Sequence, residues 1–412
     1  MKKINTIDLF AGCGGLTDGF EQTGKYNLIS AVEWDKAPVE CLRNRLATKW
    51  KVKDADERIL RFDMQRCNEL LDGWEDDPVY GSSRGLNYFV GNEGDNVDLI
   101  IGGPPCQAYS IAGRVRDEHG MRNDYRNYLF ESYLHIVKHF KPKAFVFENV
   151  PGLLSAKPGD GSFLIVERIQ EEFKTAGYYL LDDLKDALID MSEYGVPQNR
   201  KRIIIIGVSG DYYSEEDARS ILSKFYFEEL PKQKEKKKTV RDAISDLPKL
   251  YPTQEVFKVN GKRYSHTLNP TDSPANHNPR FASNRDINVF KLLASDIETG
   301  TNKYVSASAL KDLYTDITGK VSNVHKFYVL RWDEQSNLIP AHLYKDGLRH
   351  IHPDPEQART ITVREAARLQ SFPDDFEFIS NTNLDYKMIG NAVPPLFAKK
   401  LALTISNLIF KE

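Results

Sequence analysis

Three short runs hold the side chains best placed to do chemistry. The first is Ile100-Ile101-Gly102-Gly103-Pro104-Pro105-Cys106-Gln107. The apolar residues before the glycines read as a buried strand, and two glycines followed by two prolines stop it. Cys106 therefore stands on a stiff turn just past a strand end, where open α/β sheets carry their active sites. A core thiol needs no such staging, so Cys106 is read as a nucleophile. The second run, Phe145-Val146-Phe147-Glu148-Asn149-Val150-Pro151, is another strand that ends in a carboxylate. A surface glutamate at a strand terminus is common. Four apolar neighbours and a stopping proline, however, favour a carboxyl with a raised pKa that can hold or donate a proton. The third run, Gln198-Asn199-Arg200-Lys201-Arg202, leads into an unbroken Ile/Val strand. Alternation puts Arg200 and Arg202 on one face of an extended segment. Two such guanidiniums suit a carbonyl oxygen or a phosphate, and taken alone they equally suit a surface bracket around a strand.

A second set of residues suits a nucleoside. Asp8-Leu9-Phe10-Ala11-Gly12-Cys13-Gly14-Gly15 follows the first strand pattern and precedes a helix, so a ligand can approach the backbone at the helix N-terminus. A plain tight turn has the same composition. About twenty residues on, the next strand ends in Glu33-Trp34-Asp35, where an acid suits paired ribose hydroxyls. Trp34 offers either a flat face for an adenine ring or a core side chain. Asp63, in Arg61-Phe62-Asp63-Met64, sits where a third strand ends and suits an adenine amino group. No GK[ST] phosphate loop accompanies these residues, which favours a nucleoside without a triphosphate; S-adenosylmethionine fits.

These groups need a large scaffold, and 412 residues suffice for two domains. No apolar stretch approaches the roughly 20 residues that span a membrane, and because Met1-Lys2-Lys3-Ile4 runs directly into a strand pattern no signal peptide is expected. Cys13, Cys41, Cys67 and Cys106 are widely spaced with no CxxC pair. A disulfide framework or metal site is not expected, and a reducing cytoplasm is the natural setting. The net charge of −3 neither suggests nor excludes nucleic acid. One local run is basic: Lys232, Lys234, Lys236, Lys237, Lys238 and Arg241 stand against Glu235, as a solvated linker or a phosphate contact.

Strand patterns at 4–10, 28–33, 97–101, 144–148 and 203–208 alternate with helical patterns such as 128–139 and 163–176. This predicts a doubly wound α/β sheet, mixed but mostly parallel, with helices on both faces. Residues 213–355 have few clean strands and many polar loops, as in a smaller irregular domain. The pattern returns with a helix over 362–369, where Thr362 and Glu365 have capping-box spacing, and with an apolar-periodic helix over 396–410. The expected division is a catalytic domain over 1–212, a second domain over 213–378 whose junction is 357–378, and a return segment over 379–412.

Over residues 4–210 and 357–410 these runs resemble the C5-cytosine DNA methyltransferase family of bacterial restriction–modification systems. The specific pieces are Gly103-Pro104-Pro105-Cys106-Gln107, Glu148-Asn149-Val150, Gln198-x-Arg200-x-Arg202, Arg364-x-x-Ala367-x-x-Gln370-x-Phe372-Pro373 and Gly390-Asn391-Ala392-Val393-Pro394-Pro395. The resemblance implies a Rossmann-like domain binding S-adenosylmethionine, with S-adenosylhomocysteine as product and no metal. It also implies a smaller target-recognition domain. By the same resemblance Cys106 attacks C6 of cytosine, Glu148 holds N3 and the exocyclic amine, and Arg202 with Arg200 holds O2. Phe10, Gly12, Cys13, Gly15, Glu33, Trp34, Asp63, Met64, Pro105, Leu129, Asn391 and Val393 fall where the family lines its cofactor pocket.

C5 and C6 of a stacked cytosine are out of reach, so the base must be flipped from double-stranded DNA. Ser110 and Arg114 belong to the loop over 108–123 expected to close over it, Gln107 just before that loop is a further expected DNA contact, and Arg280 and Arg285 are candidate readers of the target sequence. The expected setting is a cytoplasmic monomer with no membrane partner, paired with a restriction endonuclease acting on the same site. A tRNA cytosine-5 methyltransferase shares the chemistry, but a variable region of about 140 residues favours a DNA-reading domain. A catalytically silent relative would show decay at Cys106, Glu148 or Arg202, and all three are present.

Overall fold

A computed structural model describes residues 2–94, 96–105, 129–157, 164–271, 273–345 and 347–411. Cys106, Gln107, Ser110 and Arg114 lie outside the described residues.

The chain forms two compact units: residues 1–194, 200–235 and 392–412 make one, and residues 195–199 and 236–391 the other. The first unit is built on strands β1 (Ile4–Leu9), β2 (Tyr26–Glu33), β3 (Ile59–Arg61), a small hairpin of β4 (Trp74–Asp77) and β5 (Gly81–Ser83), then β6 (Leu99–Gly102), β7 (Ala144–Asn149), β8 (Tyr178–Tyr179), β9 (Leu188–Asp190) and β10 (Lys201–Ser209). The main sheet runs β3-β2-β1-β6-β7-β10-β8, with β9 also on β10. The first five of these are parallel, and β10 is antiparallel to its neighbours. Succession goes outward in one direction from β1 and in the other from β6. The carboxyl ends of β1 and β6 therefore meet at the topological switch point, where open α/β sheets bind their ligands.

Burial fixes this arrangement. All six residues of β1 are buried, and Ile203, Ile204, Ile205 and Ile206 of β10 have no exposed surface. Burying each such side chain contributes about 1.5–3 kcal/mol. Tyr133, on the helix Leu129–Phe140, lies under the sheet, and its hydroxyl donates to the carbonyls of Val146 (2.8 Å) and Ile100 (3.1 Å). The last helix, Pro395–Leu408, returns against the helix Gly15–Glu21. A Cβ added at Gly19 would lie 2.4 Å from the Cβ of Ala398.

The units divide at 235 and 391, whereas the sequence boundaries stand at 212 and 378. The reason is visible at each end. Residues 213–235 stay with the first unit because the Tyr226 hydroxyl donates to the Ile204 carbonyl (2.7 Å) and accepts from the Ile206 amide (2.9 Å). Residues 379–391 stay with the second because the buried Tyr386 hydroxyl donates to the Ile361 carbonyl (2.7 Å).

The second unit is more regular than its sequence suggested. Helices Asn284–Glu298 and Ala307–Thr318 pack through Val289, Phe290, Leu293, Leu310 and Leu313. Ser283 caps the first, accepting from the Asp286 amide. The same unit holds a hairpin of β11 (Pro252–Val259) and β12 (Lys262–His266). The expected capping box opens the helix Val363–Leu369, and its glutamate does more than cap. Glu365 accepts from the Thr362 amide and from both terminal nitrogens of Arg359 (each 2.7 Å), with Arg359 and Glu365 both 1% exposed. Burial alone would raise the Glu365 pKa; the adjoining Arg359 outweighs it and holds the carboxyl well below the usual range. His352 lies 3.4 Å from Glu365 and is pushed down to about 3 by burial and then by the Arg359 charge. Burial pushes His266 and His350 down to about 4.

The sign follows from these directions. An unfolded histidine takes its proton near pH 6.5, so the unfolded chain binds protons that these buried rings refuse. Stability is full above that pH and falls as pH drops toward the folded values. Glu365 acts in the same direction at lower pH. Acidification from pH 7.5 to 5 should cost the second unit on the order of 2 kcal/mol per histidine. Urea midpoints across this range test it, and a flat profile would refute it.

Candidate functional site

The turn after β1 is held in conformations that few sequences allow. Phe10, Gly12 and Gly14 have φ of +59°, +57° and +91°. The first is costly for a residue with a Cβ, and such strain concentrates at functional sites. Two glycines there serve different ends. A Cβ at Gly15 would lie 2.3 Å from the Val393 carbonyl oxygen, so the return segment needs that glycine. A Cβ at Gly12 would meet nothing within 4 Å, which leaves open space beside the turn.

Glu33, at the end of the adjoining β2, bridges two loops. Its Oε2 accepts from the Gly12 amide (2.9 Å) and its Oε1 from the Asp35 amide (2.8 Å). Burial raises its pKa, and the two amides oppose that rise. Trp34 is 46% exposed, which favours a presented ring over a core one. Asp63 follows β3 half-buried, with its Oδ1 accepting from the Gln65 amide, and Met64 beside it is buried. Phe10 is half-buried, and Cys13, Leu129 and Val393 are buried. Burial pushes the Cys13 thiol up, away from reactivity. Pro105 is exposed. Asn391 is exposed and belongs to the second unit, at the end of the helix Thr382–Asn391.

Glu148 and Arg202 are brought together by strand direction. Because β10 runs antiparallel to β7, it begins where β7 ends, with Ile204 opposite Glu148. Arg202, two residues before Ile204, shares its face and is the diagonal neighbour of Glu148. The Arg202 Nε lies 3.0 Å from Glu148 Oε1, with side chains 11% and 12% exposed. Burial raises the Glu148 pKa, against the charges of Arg202 and then Arg200. Arg200 is 1% exposed and donates to the Ala392 carbonyl (2.8 Å), tying the approach to β10 to the return segment. Burial and the nearby Arg202 lower its pKa.

The turn after β6 closes against the same pair. A Cβ at Gly103 would lie 2.7 Å from Glu148 Oε2, so any larger residue there would displace that carboxylate. Asn149 donates through Nδ2 to the Pro104 carbonyl (3.3 Å) and accepts from the Val150 amide (2.8 Å), fastening the two strand ends together. The sequence reading gave Asn149 no role of its own; its place between Glu148 and a stopping proline was the available signal. Gln198 is marked in the sequence only as the first residue of the Gln198-x-Arg200-x-Arg202 run. It is fully buried in the second unit, donates to the Leu369 carbonyl and Gln370 Oε1, and accepts from the Ile339 amide.

Arg280 and Arg285 do not converge. Arg280 is half-buried, donates to the Tyr344 carbonyl (2.7 Å) and lies over the Tyr386 ring. Arg285 is exposed at a helix start, 3.1 Å from Asp286. Among the described residues no helix is long and apolar enough to cross a membrane, and no three His, Cys, Asp or Glu side chains gather as a metal site.

The fold is α/β: a mostly parallel sheet with a strained glycine turn after its first strand and a bridging acid at the end of its second. A solved DNA modification methyltransferase encoded within an E. coli prophage has this fold, with a TM-score of 0.60 at 24% identity over 99% of this chain and 100% of that one. The chain belongs to the C-5 cytosine-specific DNA methylase family, whose profile matches residues 4–73 and 87–407. It is 33% identical to the type II methyltransferase M.Bpa9945I of Bacillus paralicheniformis, over 98% of each chain. It is 30% identical to the type II methyltransferase M.XorII of Xanthomonas oryzae pv. oryzae, over 98% of this chain and 85% of that one. It is a DNA (cytosine-5-)-methyltransferase.

Proposed function

We propose that this enzyme flips a target cytosine out of duplex DNA and methylates C5 after covalent attack by Cys106 on C6. The observation that carries the reading is the covered Glu148–Arg202 pair, 3.0 Å apart beside the turn that leads to Cys106. C5 of cytosine is a weak nucleophile. Addition of the Cys106 thiolate to C6 breaks the ring's aromaticity and makes C5 enamine-like, which divides one hard step into two easier ones. Glu148, with its raised pKa, donates to N3 in its protonated form and accepts from the exocyclic amine. Arg202 holds O2, so charge that builds on the ring meets fixed partners in a site largely closed to water. Loss of the C5 proton and departure of Cys106 as thiolate restore aromaticity.

The residues around the β1 turn fit S-adenosylmethionine. Open space lies beside Gly12, Glu33 stands where ribose hydroxyls would reach a carboxylate, and Trp34 presents an exposed ring. Asp63 suits the adenine amine. Bound there, this cofactor supplies an electrophilic methyl group. The names of the relatives favour a type II restriction–modification role, with an endonuclease that cuts the same unmethylated site.

Labelled S-adenosylmethionine offered with duplex DNA and with tRNA in parallel tests the substrate. Label should enter DNA, and methyl transfer to tRNA alone would overturn the reading. Bisulfite sequencing of DNA from an expressing host would then give the methylated context.

A further inference from the structure

The hairpin of β11 and β12 carries a pairing that its own fold does not explain. Lys258 and Arg263 stand directly opposite each other across the ribbon, next to Val259 opposite Lys262. Like charges in directly opposed positions destabilise a two-stranded pair. Both side chains are exposed, and among the described residues neither is paired with a carboxylate. Glu255 is the acid on β11 itself, three residues before Lys258 and beyond the regular register. The opposite face of the ribbon is seated: Tyr264 is buried and stacks on Phe257 at 5.8 Å. The cationic face is therefore turned outward by the alternation of the strands.

The ribbon also ends in a tight turn. Asn260 and Gly261 have φ of +49° and +76°, the signature of a tight two-residue hairpin turn. The Arg263 guanidinium lies 4.4 Å from the centre of the Phe281 ring, which holds it in place. Lys262 is directed elsewhere, donating to Thr382 Oγ1 (3.0 Å). Two cations opposed on an exposed ribbon, one of them held over a ring, need an anion to offset their repulsion. Phosphodiesters spaced along a strand supply one, and a two-stranded ribbon fits a DNA groove.

We infer that the β11–β12 hairpin is a DNA-backbone clamp in which Lys258 and Arg263 each contact a phosphate of the substrate duplex. This rests on the reading that the enzyme acts on duplex DNA, and it assigns the contact to a face that neither Arg280 nor Arg285 occupies. The contact is positional and carries no base readout.

The test uses the full-length enzyme with both cations removed (Lys258→Gln with Arg263→Gln) and a partner variant that keeps the charges (Lys258→Arg with Arg263→Lys). Duplex affinity is measured against salt concentration. Loss of two phosphate contacts should lower the slope of log affinity on log salt by about 2. Cognate and non-cognate duplexes should weaken by the same factor, kcat at saturating DNA should hold, and the charge-keeping variant should restore the slope. An unchanged slope in the neutral variant would overturn the clamp, and so would a loss confined to the cognate duplex. Failure of the wild-type enzyme to methylate any duplex would instead refute the underlying reading, so the two failures are distinguishable.

Discussion

Cys106→Ala is expected to reduce methyl transfer by on the order of 10⁴-fold or more, as removal of a covalent nucleophile does elsewhere. Binding of duplex DNA should survive, because base flipping and backbone contacts do not require the thiolate. A duplex carrying 5-fluorocytosine at the target position separates the two. Fluorine at C5 cannot leave as a proton does, so the wild-type enzyme should remain attached to the DNA and the variant should not. Retained turnover in the alanine variant would exclude Cys106 as nucleophile. The absence of any adduct with wild type, cognate site and cofactor present would exclude covalent addition.

The sequence marked Cys106 by its neighbours: two glycines and two prolines after a buried strand have few other uses. The same logic exposed Glu148 and the glycine turn, because strand ends, stopping prolines and glycine-rich turns are local signals. Their meeting was not local. Arg202 reaches Glu148 only because β10 is antiparallel to β7, with Ile204 opposite Glu148. No periodicity within 198–208 states the direction of its neighbour. Alternation put Arg200 and Arg202 on one face, yet Arg200 spends a nitrogen on the Ala392 carbonyl, 192 residues away.

The second unit was the least legible part for a related reason. Some of its arginines are taken up in buried polar ties that no local periodicity announces. Arg364 donates to the carbonyls of Ala275, Pro373 and Phe376, and Arg359 to Glu365. An arginine bound to carbonyls looks the same in sequence as one that waits for DNA; Arg280 donates to the Tyr344 carbonyl and lies over the Tyr386 ring. The helix Asn284–Glu298 was not read from the sequence, although Ser283 and Asp286 supply an N-terminal signal before Val289, Phe290 and Leu293. The like-charged pair on the hairpin emerged only with its register.

Glu148→Gln should slow single-turnover methylation by about 10²–10³-fold, the loss typical of one preorganised charge-stabilising group, with cofactor affinity little changed. An equal loss of both would move Glu148 into the cofactor site or the fold. The pH dependence is more discriminating. Burial raises the Glu148 pKa and Arg202 is the largest opposing influence, so Arg202→Met should raise it further. If the protonated carboxyl donates to N3, the rate falls as pH rises through its folded pKa, and the Arg202 variant should carry that fall to higher pH even as its maximal rate drops. Stability has the same sign. A carboxyl with a raised folded pKa contributes fully below its unfolded value and loses that contribution as pH climbs through the folded one. Arg202→Met should therefore be most destabilised in alkaline buffer, where a buried carboxylate has lost its counter-charge. Combining Arg202→Met with Glu148→Gln removes the charge along with its partner, so the double variant should be more stable than Arg202→Met alone. Strict additivity of the two losses would mean that the 3.0 Å pair is a contact without coupling.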